Sequence, residues 1–323
     1  MMRGTFSRWI HGIAALALAA LALSGCTLFQ TNRAPTASFE AAPDEGYRPL
    51  EVAFDASGSI DPEGDPLIYR WSFGDGTIGS GVQTTHAYEH AGSYDVVLRV
   101  TDPEGLDDAS LATVEVLDVP EGHVVRRFVW TWDGAEQTLE FALPWDLYQT
   151  YRGRLRTPLV DNYDYGAFVE DPLDDPTLED LADALAERIS GDLAFAEYAL
   201  AFVQGAIAYA ADPSNAEWPL YPMETLVDGE GDCEDTAILY VSLLKALGIA
   251  CQLAFVDTDG DTSPDHVLAL VGVDASFAHR PGVTVFDLGG RRYAVAETSS
   301  GTIPLGVDPW GLGANDLIEL WPF

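Results

Sequence analysis

Residues 236–247, Thr-Ala-Ile-Leu-Tyr-Val-Ser-Leu-Leu-Lys-Ala-Leu, combine strong helix formers with apolar side chains on nearly every face. A helix of this kind has no side that tolerates water, so it has to be buried, with sheet packed over it. Gly248 closes it, because glycine adopts the left-handed conformation that ends a helix at no steric cost. The approach, Gly229-Glu230-Gly231-Asp232-Cys233-Glu234-Asp235, is rich in turn formers and sets Cys233 at or near the helix N-terminus. Only that first turn is expected to meet solvent. Unpaired N–H groups and the helix dipole favour a thiolate there, and the thiolate is the nucleophilic form of cysteine.

A thiol nucleophile also needs a base and a group that orients the base. Ile249–Val256 and Val267–Val273 read as strands, and His266 stands at the entrance to the second. Val283–Phe286 and Arg292–Glu297 form the next hairpin around Leu288-Gly289-Gly290-Arg291, which brings Glu297 to a strand end. A Cys on a buried helix, with a His and a carboxylate on successive adjacent strands, is the arrangement that a thiol–imidazole pair with an orienting acid requires. Asp287 is the competing carboxylate, but it sits beside the Gly-Gly turn, so Glu297 is preferred. His279, in Ala278-His279-Arg280-Pro281-Gly282, is read as a solvent-facing loop residue. Cys251 lies in a strand pattern where a small buried thiol is ordinary packing, so no disulfide with Cys233 is expected.

Two domains are expected from a chain of 323 residues with 47% hydrophobic content. From Ala34 to about Val119 short alternating runs such as Leu50–Phe54 and Tyr94–Val100, punctuated by Gly, Pro and Asp, indicate a β-sandwich of roughly seven strands. Pro120-Glu121-Gly122 reads as a linker. The alternating segments Val124–Trp132 and Thr138–Leu143 flank an Asp133-Gly134 turn and form a hairpin. Thr177 is read as the cap of a helix bearing Leu178, Leu181, Leu185 and Ile189, and a further helix is read from Ala194 to Ala210.

Arg3 and Arg8, the apolar run Ile13–Leu23 and the small residues Ser24 and Gly25 make residues 1–25 an export signal too short to span a bilayer comfortably. Residues 26–33 then serve as a tether. The formal charge of the whole chain is −36, which excludes nucleic acid as a partner and suits divalent cations, basic partners or a saline medium.

Three resemblances sharpen this reading. Leu23-Ser24-Gly25-Cys26 resembles a lipoprotein signal, which implies a lipid on Cys26 and an exported, membrane-anchored protein at the cell surface or in the periplasm. Trp71-Ser72-Phe73-Gly74-Asp75-Gly76, His86-Ala87-Tyr88, Gly92-Ser93-Tyr94 and Val100-Thr101-Asp102 resemble a PKD domain over residues 34–119. This implies an immunoglobulin-like module serving as spacer or adhesive surface, with Trp71 and Tyr94 in the core and His86 in a structural hydrogen bond. The turn Asp61-Pro62-Glu63-Gly64-Asp65 is read as a turn rather than a calcium site.

Gly231-Asp232-Cys233-Glu234-Asp235-Thr236-Ala237, Leu243-Leu244-Lys245-Ala246-Leu247-Gly248, Asp265-His266-Val267 and Tyr293-Ala294-Val295-Ala296-Glu297-Thr298 resemble the microbial transglutaminase-like superfamily, a papain-related fold. The fold class is therefore multi-domain: an all-β sandwich, then an α+β papain/transglutaminase-like domain over 120–323, with its core at about 175–305. The resemblance implies Cys233 as nucleophile, His266 as base and Glu297 as orienting acid, although many members carry Asp in the third place. It also suggests Gln204 as an oxyanion donor. The implied activity is hydrolysis of an amide in a protein or peptide substrate through a Cys thioester, with transamidation and non-catalytic surface binding as the alternatives. No cofactor is required. Calcium is an optional occupant between Asp232 and Glu234, since related proteases with Gly-Asp-Cys-Glu-Asp use it there. Asp257, Asp259 and Asp261 begin a calcium-loop spacing, but Thr262 and Leu268 stand where Gly and Glu are needed, so this is read as an acidic loop.

Overall fold

The computed structural model describes residues 31–154, 164–212, 218–299 and 301–323. The export signal, Cys26 and most of the tether lie outside the described residues. The chain divides into two compact units, one ending at Val116 and one beginning at Leu117, with Gly46–Arg48 assigned to the second.

The first unit contains β1 (Glu40–Ala42), β2 (Glu45–Tyr47), β3 (Leu50–Asp55), β4 (Ile68–Ser72), β5 (Ile78–Ser80), β6 (Gln83–Tyr88), β7 (Gly92–Thr101) and β8 (Asp107–Leu117). They form a three-stranded sheet, β1-β3-β6, and a five-stranded one, β2-β8-β7-β4-β5. Period-two alternation sends Leu50, Val52 and Phe54 of β3 and Val96, Leu98 and Val100 of β7 into one core around Trp71. The Trp71 indole N–H is satisfied by the Gly81 carbonyl at 2.9 Å. Tyr88, not Tyr94, is the fully buried tyrosine: its hydroxyl donates to Phe73 O at 2.9 Å, whereas Tyr94 is half-buried at the margin and donates to His90 O. His86 stacks on Phe73 at 4.3 Å and bonds Asp75 at 2.7 Å, a structural role. The Asp61 carboxylate accepts the N–H groups of Glu63 and Asp65, which caps its own turn.

The second unit opens with a hairpin of β9 (His123–Trp132) and β10 (Ala135–Pro144). Its two-residue turn needs positive φ at both centres, and Asp133 (49°) and Gly134 (75°) supply it. Then come α1 (Trp145–Arg152), α2 (Gly166–Val169), α3 (Asp175–Ala186), α4 (Asp192–Ala206), β11 (Ala208–Tyr209), α5 (Pro222–Asp228), β12 (Glu230–Gly231) and α6 (Cys233–Ala246). Helix α3 begins two residues before Thr177, with Asp174 at its N-cap and Pro176 in the first turn, where a missing N–H costs nothing. Helix α4 stops at Ala206 rather than Ala210, because Ala208 and Tyr209 leave it to pair in parallel with Glu230 and Gly231.

The remaining strands are β13 (Cys251–Val256), β14 (His266–Val273), β15 (Val285–Leu288), β16 (Arg291–Ala296) and β17 (Leu317–Pro322). They form one antiparallel sheet in the order β15-β16-β14-β13-β17. Every residue of β13 is buried. Cys251, Leu253 and Phe255 share a cluster with α6, while Ala254 and Val256 face a second cluster with Phe286, Tyr293 and Leu312. Strand β17 closes the open side of β13, and nothing in its mixed sequence announces it. Among the described residues no helix is long and apolar enough to cross a membrane.

Helix α6 is buried from Glu234 to Leu244. Its Leu, Ile and Val side chains contribute about 1.5–3 kcal/mol each by leaving water. Its C-terminus is a Schellman motif: Gly248 N–H bonds Lys245 O at 2.8 Å, Ile249 N–H bonds Leu244 O at 3.0 Å, and Gly248 has a φ of 69°. Gly248→Ala is expected to destabilise this unit by about 1–2 kcal/mol through the left-handed backbone alone. The corresponding drop in the unit's thermal midpoint is roughly 2–4 °C per kcal/mol, measurable by calorimetry on the full chain.

Candidate active site

Register determines which ends of the strands meet. Strands β14 and β16 run antiparallel with Ala269 opposite Ala296, so the residues just after β16 lie beside the first residues of β14. That places Glu297 against His266 at one end of the sheet. His266 Nε2 and Glu297 Oε2 are 2.7 Å apart, and the glutamate is completely buried. Its second oxygen accepts the Ser299 N–H at 2.7 Å and the Ser299 hydroxyl at 2.6 Å. Burial alone would raise the carboxyl pKa, but the hydrogen bonds from His266 and Ser299 outweigh it and hold Glu297 below the usual range. An ionised acid on Nε2 makes that nitrogen the donor and leaves Nδ1 as the basic one.

Cys233 is the first residue of α6, with Asp232 at the N-cap. Asp235 accepts the Asp232 N–H at 3.2 Å and the Leu220 N–H at 2.6 Å, which fixes the turn leading into the helix. Gly231 cannot be replaced here without a shift, since a Cβ would fall 2.6 Å from Asp235 Cβ. The hydroxyls of Thr236 and Thr298 meet at 3.0 Å, tying the helix start to the segment that carries Glu297. The N–H of Val267, the residue after His266, is directed at the sulfur. The three residues are thus gathered at one end of the sheet, while Asp287 is exposed in β15 opposite Arg292 and His279 is exposed in its loop.

The electrostatics of the thiol differ from the expectation. Burial pushes the Cys233 thiol up and the charge of Glu234 pushes it further; the Val267 N–H lowers it by less, and Asp232 adds a smaller rise. The thiol donates to Glu234 Oε2 at 3.3 Å. The stabilisation of a thiolate at the helix N-terminus is therefore opposed here, first by burial and then by the two flanking carboxylates. Cys251 is buried in β13, and both cysteines are free thiols.

The Gln204 amide is not directed at the thiol in this structure. Both hydrogens of its amide are spent on backbone carbonyls, Glu297 O at 2.7 Å and Ile303 O at 2.9 Å, so it clamps the two ends of the segment after β16. Trp310 is not singled out by the sequence, yet its ring centroid lies 4.6 Å from that of His266. The carboxylate of Asp308 holds this loop by accepting the N–H groups of Trp310, Gly311 and Leu312. A Pro-Trp-Gly step after an Asp is the signal that was available.

Asp212 joins Asp232 and Glu234, with one oxygen from each lying within 4.8 Å of the others. Such an all-oxygen donor set fits a hard divalent cation. Asp257, Asp259 and Asp265 form a second trio. There Asp257 accepts four backbone N–H groups, from Asp259 to Thr262, and works as the cap of its own loop.

Comparison with known proteins gives two family matches: a PKD domain over residues 32–116 and the transglutaminase-like superfamily over residues 179–283. The second span includes Gln204, Cys233 and His266 and ends before Glu297. Among relatives, collagenase ColQ1 of Bacillus cereus is 39% identical over 87 residues, 27% of this chain and 9% of that protein. The pre-pro-metalloprotease PrtV of Vibrio cholerae is 32% identical over 147 residues, 41% of this chain and 15% of that protein. The chain thus spans about a tenth of the length of these relatives. Among solved structures, the PKD1 domain of Vibrio anguillarum Epp is 35% identical, with 26% of this chain and 95% of that one covered and a TM-score of 0.24. A structure described as a proposed cysteine protease from Cytophaga hutchinsonii is 13% identical over 80% of this chain and 81% of that one, with a TM-score of 0.29. Red sea bream transglutaminase is 12% identical over 80% of this chain and 51% of that one, with a TM-score of 0.23. The chain carries a PKD domain followed by a domain of the transglutaminase-like superfamily.

Proposed function

We propose that this chain is an exported cysteine peptidase or amidase, held to a membrane by a lipid on Cys26, with Cys233 as nucleophile. The observation that carries the reading is the 2.7 Å bond between His266 and the buried, ionised Glu297, at the sheet end where α6 presents its first residue. The resting thiol is protonated, so attack requires a base at the moment of reaction. His266 Nδ1 takes the proton as the sulfur adds to an amide carbonyl, and Glu297 stabilises the resulting imidazolium. First-turn N–H groups of α6, which lack intrahelical acceptors, are the donors for the oxyanion. Collapse expels the amine with the proton from His266 and leaves a thioester, which water hydrolyses to release acid and thiol.

Asp212, Asp232 and Glu234 would hold calcium, whose positive charge offsets the carboxylates beside the thiol. The PKD domain supports an extracellular setting and a role as spacer or adhesive surface. A second reading, a catalytically silent binding module, is favoured by the burial of the Cys233 thiol beside Glu234 and Asp232, which raises its pKa.

A thiol-directed amide or ester probe separates the two readings. Labelling is expected on wild type and absent in Cys233→Ala, with a loss of at least about 100-fold in Glu297→Gln and none in Asp287→Asn. Absence of Cys233-dependent labelling would sink the enzymatic reading, and a labelled amine added with a glutamine-containing protein tells cleavage from cross-linking.

Removing the Glu234 charge removes a contribution that raises the thiol pKa. In EGTA the alkylation rate of Glu234→Gln should therefore rise at lower pH than that of wild type, as read from iodoacetamide rate–pH profiles. An unchanged midpoint would show that burial alone sets the thiol.

Calcium at 100 times its Kd is expected to stabilise the domain by about 2.7 kcal/mol. Thermal unfolding with calcium or with EGTA reads this directly, and Asp212→Asn should abolish the difference.

A further inference from the structure

Strand β9 is paired on one side only: its partner is β10, and among the described residues no other strand joins it. Beside a two-residue turn the flanking pair, Trp132 and Ala135, exchanges both ladder hydrogen bonds. The next pair, Thr131 and Glu136, then exchanges none, and neither does the pair Val129 and Thr138. The N–H and C=O groups of Val129 and Thr131 therefore point away from β10, and they meet no hydrogen-bonding partner among the described residues. The far edge of β10 differs, since there the Thr138 carbonyl accepts Arg188 Nη1 at 2.8 Å.

The open edge borders a groove of about 460 Å³ whose other walls are α4 and residues 302–305. Helix and strand run side by side in opposite directions: Trp132 packs on Tyr198 at 5.4 Å, and Trp130 and Phe128 pack on Phe202 at 5.2 and 5.3 Å. Gly205 permits this approach, because a Cβ there would fall 2.7 Å from Trp130 Cβ. Along α4 the groove reaches from Glu197 to Gly205, about 12 Å at 1.5 Å per residue, a length that takes about four residues of extended chain. Glu197 already bonds Arg280 at 2.7 Å, and Ala201, Ile303, Pro304 and Leu305 add an apolar lining. The walls thus offer little to an ionic ligand, whereas main-chain donors and acceptors recur along β9 at every second residue. An extended main chain carries complementary groups at that spacing. From Phe128 to Trp132 the strand also lacks the charges and prolines that commonly bar pairing at a sheet edge.

We propose that β9 takes up an extended polypeptide segment as an added strand in this groove, hydrogen-bonded to the main chain of Val129 and Thr131, with apolar side chains at alternate positions turned toward α4. The binding is independent of the chemistry proposed at Cys233.

The test uses the full chain with Cys233→Ala, so that no turnover interferes, and acetyl-Val-Ala-Val-Ala-amide as the probe. Binding is followed by NMR of the valine and threonine amides. Hydrogen exchange at the Val129 and Thr131 N–H groups is expected to slow by about tenfold at saturation, and affinity to stay unchanged as salt rises. The same peptide N-methylated at every residue should bind at least about tenfold more weakly, because it has no N–H to donate. Val129→Pro removes an N–H that the ladder to β10 does not use, so the hairpin keeps its pairing while the probe weakens by about tenfold; Val129→Thr, which keeps that N–H, should bind as the parent does. Calorimetry checks that Val129→Pro is folded, and the exchange measurement on the parent chain stands without it. Unslowed exchange at Val129 and Thr131, equal binding of the N-methylated peptide, or full binding by folded Val129→Pro overturns the proposal. So does a dimer in sedimentation that Val129→Pro dissolves, which would assign the edge to a second copy of the chain.

Discussion

Helix α6 has almost no polar face, and its burial organises the second unit. The sheet strands β13 and β14 cover one side of it, and α3, α4 and α5 pack around the rest. The helix is enclosed from Glu234 to Leu244, so it emerges only at its two ends: Lys245 and Ala246 at the last turn, and Cys233 at the first. The same packing positions β14 and β16, whose shared end carries His266 and Glu297. Cys233, His266 and Glu297 therefore come to one end of the sheet as a consequence of covering one apolar helix.

The immediate surroundings of the sulfur oppose the helix dipole. Partial charges at a helix N-terminus are worth about 0.3–1 kcal/mol at exposed sites, whereas two carboxylates next to a mostly buried thiol act through a poorly screened medium. The thiol accordingly rises rather than falls in pKa. Around it the supporting contacts are well satisfied: Ser299 and His266 hold the Glu297 carboxylate, Gln204 holds its carbonyl, and Thr236 meets Thr298. Trp310 packs beside the imidazole. A firmly held His266–Glu297 pair thus sits beside a thiol whose pKa is raised by burial and by its acidic neighbours.

Much of this is legible in the sequence where the signal is local. The Asp133-Gly134 turn, the Gly248 cap and the alternation in β3 and β7 all rest on residues that specify their own backbone, and each reads close to its place. The end of α4 is not legible, because apolar residues continue through Ile207, Ala208 and Tyr209, while a distant partner, Glu230-Gly231, draws Ala208 and Tyr209 into a strand. Strand β17 escapes because a strand at the sheet edge shows little periodicity of its own. Gln204 reads as a donor with a free amide, since sequence does not reveal that two carbonyls nearly a hundred residues away consume it.

The sequence by itself determined the buried helix, the turn that starts it with a cysteine, and the order of Cys, His and acid along the chain, because helix propensity, apolar periodicity and glycine placement are local properties. Only the tertiary structure decided that Glu297 rather than Asp287 meets His266, that the Gln204 amide bonds two backbone carbonyls, and that burial and two carboxylates raise the Cys233 thiol. Those outcomes depend on strand register and on which charges burial brings within a few ångströms of one another, and neither is written in any single stretch of residues.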